Sequence, residues 1–373
     1  MIINFDNAAT TYPKPESVKT AVMEAMNRYG GNAGRGGHAL AAATSEAVYS
    51  AREEIAGFFG AEPENTVFAL NCTHALNMAI QGIMSGGGHL IISGMEHNSA
   101  ARPAAALAAE GRITLSVAEV FPDSRRTLES FRSLIRSDTK AIVCTLASNV
   151  TGQIMPYREI GRLCREHGIC FIADGAQACG VLDVKLADGI NILCTAGHKG
   201  LYGITGTGLL VTDGKFPILP ILQGGTGTDS MSLRQPELTP ESLESGTVGV
   251  IGIMSLKAGT DFVKQMGIGN IFRHEDMICR RFIRALAGDE RITVYRSPEA
   301  RYAPIVSFNI DGIAPGDAAA ALAEKGYCLR SGYQCSALAH TQLGTKNGTV
   351  RFSPSLFSRA EDAEELARLI KTL

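Results

Sequence analysis

An α/β architecture, with a parallel sheet covered by helices on both faces and a smaller α+β unit after it, follows from three features of the chain. Short, mostly apolar runs of four to six residues alternate with helically periodic segments through its middle. Strands buried on both faces read as such continuous apolar runs, so the alternation marks a helix-covered parallel sheet. The residues just after these runs are polar and often titratable, and ligands of parallel sheets bind beyond the carboxyl ends of the strands. From about residue 260 the alternation gives way to long helical stretches with isolated strands, which places a boundary there.

Taken in order, residues 66–70 (TVFAL) read as a strand. Residues 74–83 read as a helix, with Ala75, Leu76, Ala79, Ile80 and Ile83 on one face. The strand 90–93 precedes an alanine-rich helix at 102–110, and the strand 114–120 a helix at 128–135. The strand 141–146 leads to a helix at 157–167, and the apolar runs 169–173 and 190–194 are two further strands. Beyond the boundary, 262–287 is largely helical. Strands at 305–310 and 350–353 and helices at 317–325 and 360–373 complete the pattern.

Composition narrows the function classes. The 373 residues are 45% hydrophobic and 19% charged, which excludes a disordered chain. Lys+Arg is 35 and Asp+Glu is 37, a balance without the basic excess of a nucleic-acid-binding surface. No run approaches the ~20 apolar residues of a membrane-spanning helix, so no membrane partner is expected. The N-terminal stretch lacks the basic and apolar regions of a signal peptide. The nine cysteines are odd in number, scattered and without a C-x-x-C pair. They are therefore expected to be reduced thiols in a cytoplasm, with neither a disulfide framework nor a metal site.

The candidate chemistry sits after the strands. Asp174 ends an apolar run and can hold a ring nitrogen or a metal, although an acid there serves equally as a helix N-cap. Lys199 lies in Thr195-Ala196-Gly197-His198-Lys199-Gly200, directly after a strand and unlike a solvated surface lysine. A Schiff-base lysine with an aspartate for a pyridinium nitrogen is the pyridoxal 5′-phosphate arrangement. Cys72-Thr73-His74 opens a helix and can offer N–H groups to a phosphate, or simply cap it. His97 follows a strand as a loop histidine or as a ring-stacking, proton-handling imidazole. Asn149 and Gln177 can hydrogen-bond a phenolic oxygen or fill ordinary turns. Cys335 lies in a glycine-containing loop five residues after Arg330, where a cation favours a reactive thiolate. Arg351 can bind a carboxylate or pair with the acids at 361–365. The glycine-rich stretches 203–208 and 224–229 lack nucleotide-binding spacing and context.

In order, these segments resemble the class V aminotransferases, fold type I of the pyridoxal phosphate enzymes, in their cysteine desulfurase and selenocysteine lyase branch. The resemblance covers nearly the whole chain. It rests on Asp6-Asn7-Ala8-Ala9-Thr10, residues 32–38 (NAGRGGH), Met95-Glu96-His97 and Ser148-Asn149-Val150-Thr151-Gly152. It continues through Asp174-Gly175-Ala176-Gln177, Gly197-His198-Lys199 and Glu244-Ser245-Gly246-Thr247. It implies a large domain at 15–260 with a mostly parallel seven-stranded sheet. The smaller α+β domain would comprise 1–14 and 261–373 and carry the Cys335 loop. It implies pyridoxal 5′-phosphate as cofactor, with Lys199 as Schiff-base lysine and base at Cα. Asp174 would pair with the pyridine nitrogen, His97 stack on the ring, and Asn149 and Gln177 contact its hydroxyl side. Thr73, with the neighbouring His74, and His198 would hold the phosphate. Thr247 would reach the phosphate of the neighbouring subunit. Arg351 and Asn149 would bind the substrate, and Arg35 would enter from the partner of a homodimer.

Cys335 would accept sulfur from L-cysteine as a persulfide and release L-alanine, with selenocysteine as a further substrate. The resemblance implies a sulfur-acceptor protein as a partner. The short R-x-G-x-x-C loop is similar to the second group of desulfurases. Three positions depart from the pattern: Ala196 replaces a serine, Gly200 is an extra glycine after the lysine, and Gln334 replaces a histidine before the cysteine. Other class V reactions (an aminotransferase, a kynureninase-like lyase, an epimerase) and a non-catalytic sulfur-transfer scaffold are the alternatives.

Overall fold

The computed structural model describes residues 2–34, 36–228 and 230–373. In chain order the elements begin with β1 (Ile3–Asn4), α1 (Glu16–Arg28), α2 (Ala39–Phe59), β2 (Thr66–Ala69), α3 (Cys72–Ile83), β3 (His89–Ser93) and α4 (Asn98–Ala109). There follow β4 (Thr114–Ala118), α5 (Ser124–Ser133), β5 (Thr139–Thr145), α6 (Tyr157–His167), β6 (Cys170–Asp174), β7 (Ile192–Ala196) and β8 (Gly208–Thr212). The remainder comprises α7 (Val250–Met266), α8 (Ile268–Leu286), β9 (Ile292–Val294), β10 (Val306–Ile310), α9 (Pro315–Glu324), β11 (Tyr327–Cys328), β12 (Arg330–Gly332), α10 (Ala337–Leu343), β13 (Thr349–Phe352) and α11 (Ala360–Ile370).

The apolar runs form one seven-stranded sheet in the order β2-β8-β7-β6-β5-β3-β4. Every residue of β3, β6, β7 and β8 is buried, which is why these strands carry no alternating pattern. Odd and even positions feed separate cores on the two faces. Ile91, Ile142, Phe171 and Leu193 pack on one side, and Leu90, Val143, Ile172 and Ile192 on the other. Neighbours from β4 through β7 are parallel, whereas β8 runs antiparallel to both β7 and β2. Two successive reversals leave β2 pointing the same way as β7. The C-terminal ends of β2, β3, β5, β6 and β7 therefore share one edge, and the residues after them meet there.

A separate core surrounds the four-stranded sheet β12-β13-β10-β9. Phe282, Phe308 and Phe352 are its aromatic centre, and Phe5 from the N-terminal segment packs 4.5 Å from Phe352. The helical stretch expected at 262–287 is two helices, α7 and α8, broken at Gly267 with φ 77°. That left-handed turn suits glycine and ends the first helix. All nine cysteines are unpaired; seven are buried, and Cys328 and Cys335 are exposed. Among the described residues no helix is long and apolar enough to cross a membrane.

Candidate active site

Asp174 closes β6, buried to 2% exposure. Its Oδ1 accepts from the backbone N–H of Ala176 at 2.9 Å and from the Cys72 thiol at 3.5 Å. Lys199 follows β7, the neighbouring strand. Burial pushes the Lys199 amine below its ordinary range, while the Asp174 charge pulls it back up. A buried lysine with a depressed pKa is a nucleophile and base near neutral pH. His97 caps α4, its Nδ1 accepting from the Ser99 N–H at 3.1 Å. Burial holds His97 below its ordinary pKa against the opposing pull of Asp174. Its imidazole is therefore a neutral ring that faces the same charge cluster as Lys199.

At the β2 end of this edge, α3 starts immediately after the strand. Asn71 caps it, taking His74 N–H with Oδ1 at 2.9 Å and Ala75 N–H with its carbonyl at 3.1 Å. The N–H groups of Cys72 and Thr73 thus remain as the unpaired donors of that helix end. His198 keeps a buried Nδ1 with no hydrogen-bond partner. Burial, with Lys199 and Lys14 nearby, drops its pKa to about 4, so the ring is neutral. Thr195 does not replace the serine missing at Ala196: it is fully buried and donates to Gly175 O at 3.3 Å. The His74 side chain turns back to accept from Leu70 N–H at 3.3 Å. Thr247 is exposed and accepts from Asn32 Nδ2 at 3.3 Å. Arg35 lies outside the described residues.

The Cys335 loop comes from the smaller sheet and closes onto this edge. Cys335 O accepts from the N–H of Asn98, next to His97, at 2.7 Å. Thr73, His97 and Cys335 line one cleft of about 550 Å³. Arg330 Nη2 lies 3.6 Å from the Cys335 Sγ, so the cation expected upstream does reach the thiol. Asn149 spends both ends of its amide on this loop: Nδ2 donates to Gln334 O at 2.7 Å, and Oδ1 accepts from Ser336 Oγ at 2.6 Å. Gln177 donates to Ala8 O at 3.0 Å and shares a small cavity with Lys199.

Arg351, on β13, is 2% exposed. It does not pair with the acids at 361–365. Its Nη2 donates to Asp6 Oδ1 at 2.8 Å and its Nη1 to Asn149 O at 2.9 Å, while its buried Nε has no partner. That Nε–H is a buried donor left without an acceptor. Glu96 precedes His97, and apart from following a strand it carries no sequence signal of a role. It is fully buried, with Oε1 accepting from Ser93 Oγ and from Thr145 N–H at 2.7 Å.

These residues fit pyridoxal phosphate by their chemistry. A buried amine, a carboxylate on the adjacent strand end, a neutral imidazole, and an unpartnered ring nitrogen at His198 with free N–H groups at the α3 terminus correspond to its aldehyde, ring nitrogen, ring face and phosphate. An open α/β sheet with this edge is the fold type I architecture of pyridoxal phosphate enzymes. The chain belongs to the class V aminotransferase family, whose profile matches residues 3–369. That family depends on pyridoxal phosphate in general. The chain is 30% identical to a probable cysteine desulfurase of Methanothermobacter thermautotrophicus over 98% of this chain and 94% of that one. It is similar to the apo structure of cysteine desulfurase from Thermococcus onnurineus, with a TM-score of 0.92 and 30% identity over 100% and 95% of the two chains. The Escherichia coli cysteine desulfurase CsdA shares the fold at a TM-score of 0.87 and 24% identity, covering 100% and 94%.

Proposed function

We propose that the protein is a pyridoxal phosphate-dependent cysteine desulfurase, converting L-cysteine to L-alanine with sulfur left as a persulfide on Cys335. The observation that carries this reading is the latch between Cys335 O and Asn98 N–H, which sets an exposed thiol beside His97 on the edge that holds Asp174 and Lys199. Bound there, pyridoxal phosphate supplies the electron sink that labilises the bonds at the substrate's Cα and Cβ.

The residues divide the remaining work. Lys199 takes and returns the proton at Cα, which its burial-depressed basicity permits. Asp174 would pair with the ring nitrogen and favour its protonated form. Arg351 takes the substrate carboxylate through Nε and its remaining N–H groups, already oriented by Asp6 and the Asn149 carbonyl. The Cys335 thiolate, with Arg330 at 3.6 Å, attacks the substrate sulfur. An S–S bond forms, the Cβ–S bond breaks, and protonation at Cβ completes alanine. Selenocysteine meets the same residues.

Three further readings belong to this proposal. Residues 15–260 form the cofactor-binding domain, and 1–14 with 261–373 the smaller one. The assembly is a homodimer, supported by exposed Leu222, Met231, Leu233 and Leu238 in one segment of the larger domain. The exposed persulfide is discharged to a sulfur-acceptor protein.

The test is alanine release from L-cysteine by cofactor-loaded protein under reductant. Wild type releases alanine, Cys335→Ala loses release from cysteine, and Lys199→Ala loses it from every substrate. A wild type with a normal visible cofactor band and no alanine from cysteine or selenocysteine would sink the reading. A keto acid formed with an amino acceptor would replace it with transamination.

A further inference from the structure

Gln334 and Cys335 are consecutive non-glycine residues in the left-handed region, with φ of 41° and 58°. Side chains disfavour that region, so the pair persists only where its surroundings hold it. On the site side the hold is Asn149 and Asn98, already described. On the opposite side it is the buried Gln334 side chain itself. Its Nε2 donates to Thr349 O at 2.8 Å. Its Oε1 accepts from Thr349 Oγ1 at 3.3 Å and faces His340 Nε2 at 2.9 Å.

These contacts assign the histidine. An amide oxygen only accepts, so His340 carries its proton on Nε2. Its Nδ1 then accepts from Thr345 Oγ1 at 2.6 Å. The ring is buried in α10 and stands edge-on to Tyr333, with centroids 5.4 Å apart. One ring N–H therefore ties α10 to the residue that precedes the thiol.

We propose that His340 and Gln334 form a clasp that positions the Cys335 thiol, and that both are positioning residues for the step in which the thiol meets substrate. The clasp stands on the geometry alone; its use in sulfur transfer rests on the desulfurase reading above. It also accounts for glutamine at 334. The loop needs a side chain that donates to Thr349 O and accepts from His340 at once, and an amide does both.

Two conservative variants separate positioning from mere folding. His340→Gln can place a donor near the position of Nε2. His340→Asn reaches only the position of Nδ1 and leaves Gln334 Oε1 without its ring partner. In the holoenzyme, deuterium exchange of segment 333–337 and alanine formation from L-cysteine are measured for both. His340→Asn is expected to speed exchange and slow alanine formation by about fivefold each, one neutral hydrogen bond's worth. His340→Gln stays within about twofold of wild type on the same scale. The visible cofactor band is unchanged in both. Equal behaviour of the two variants would overturn the clasp, and faster exchange without slower turnover would overturn its positioning role. Should His340→Asn fail to fold, Gln334→Met removes both polar ends at similar volume and repeats the test from the loop side. A wild type that forms no alanine defeats the desulfurase reading, and the exchange contrast still decides the clasp.

Discussion

Lys199 sits on a backbone with no room for one more methyl group beside it. A Cβ on Gly200 would lie 2.4 Å from Cys179 O, and one on Gly180 would lie 2.0 Å from Gly200 O. The two glycines let the lysine loop press against the turn after β6, and Tyr202 then takes a left-handed φ of 57°. The extra glycine is thus accommodated by close backbone contact. Gly200→Ala is expected to cost about 2–3 kcal/mol, because the contact is with backbone that cannot step aside. It should also weaken pyridoxal phosphate binding, read as visible absorbance during titration. Gly57→Ala, an exposed site in α2 with nothing near the added carbon, should be neutral or stabilising by up to ~1 kcal/mol and leave binding unchanged. Equal binding by both variants would mean that the lysine loop tolerates displacement. Lys199, Asp174 and His97 were legible because each lies within five residues of the end of an apolar run. The partner of Arg351 was not: Asp6 lies 345 residues away, and no local pattern announces an ion pair across that distance.

Glu96 shows how one buried side chain joins two elements. It follows β3 and accepts the N–H of Thr145 at the end of β5, tying together two strand ends that carry site residues. Burial raises its pKa from 4.5 to about 8, opposed by the hydrogen bonds it accepts. The native state therefore binds a proton that the unfolded chain has already lost between those values. Stability from this group is fully present below pH 4.5 and is lost as pH rises through about 8. Glu96→Gln matches the protonated form. Its stability should follow wild type at acid pH and exceed it above pH 8 by a margin on the order of 5 kcal/mol, read as a higher melting temperature. Parallel curves at every pH would show that Glu96 does not titrate in that window. The elements themselves were legible where apolar burial is complete, as in β3, β6 and β7, or broken only by Lys140, as in β5. β8 was not, because GLLVT follows a glycine-rich stretch that reads as loop. β9, β11 and β12 were not, because two or three residues set no period.

At the scale of the molecule, the N-terminal segment links the smaller core to the lysine loop. β1 pairs with β11, Phe5 fills the smaller core, and Asn7 N–H donates to Ser353 O at 3.2 Å. A few residues on, Thr11 donates through N–H to His198 O at 3.1 Å and through Oγ1 to Lys199 O at 3.1 Å, and Lys14 Nζ donates to His198 O at 2.9 Å. The backbone that carries Lys199 is therefore held by a strap whose far end is anchored beneath Phe352. Phe5→Ala and Phe308→Ala each empty a fully buried aromatic site in the same core and should cost about 3–5 kcal/mol apiece. Only Phe5→Ala also releases the strap. It should weaken pyridoxal phosphate affinity by about tenfold, equivalent to ~1.4 kcal/mol, while Phe308→Ala stays close to wild type. Calorimetry and cofactor titration on the same two proteins decide it. Matched losses of affinity would make the effect one of general destabilisation, whereas a loss confined to Phe5→Ala would mean that packing in the smaller core sets the lysine loop through the strap.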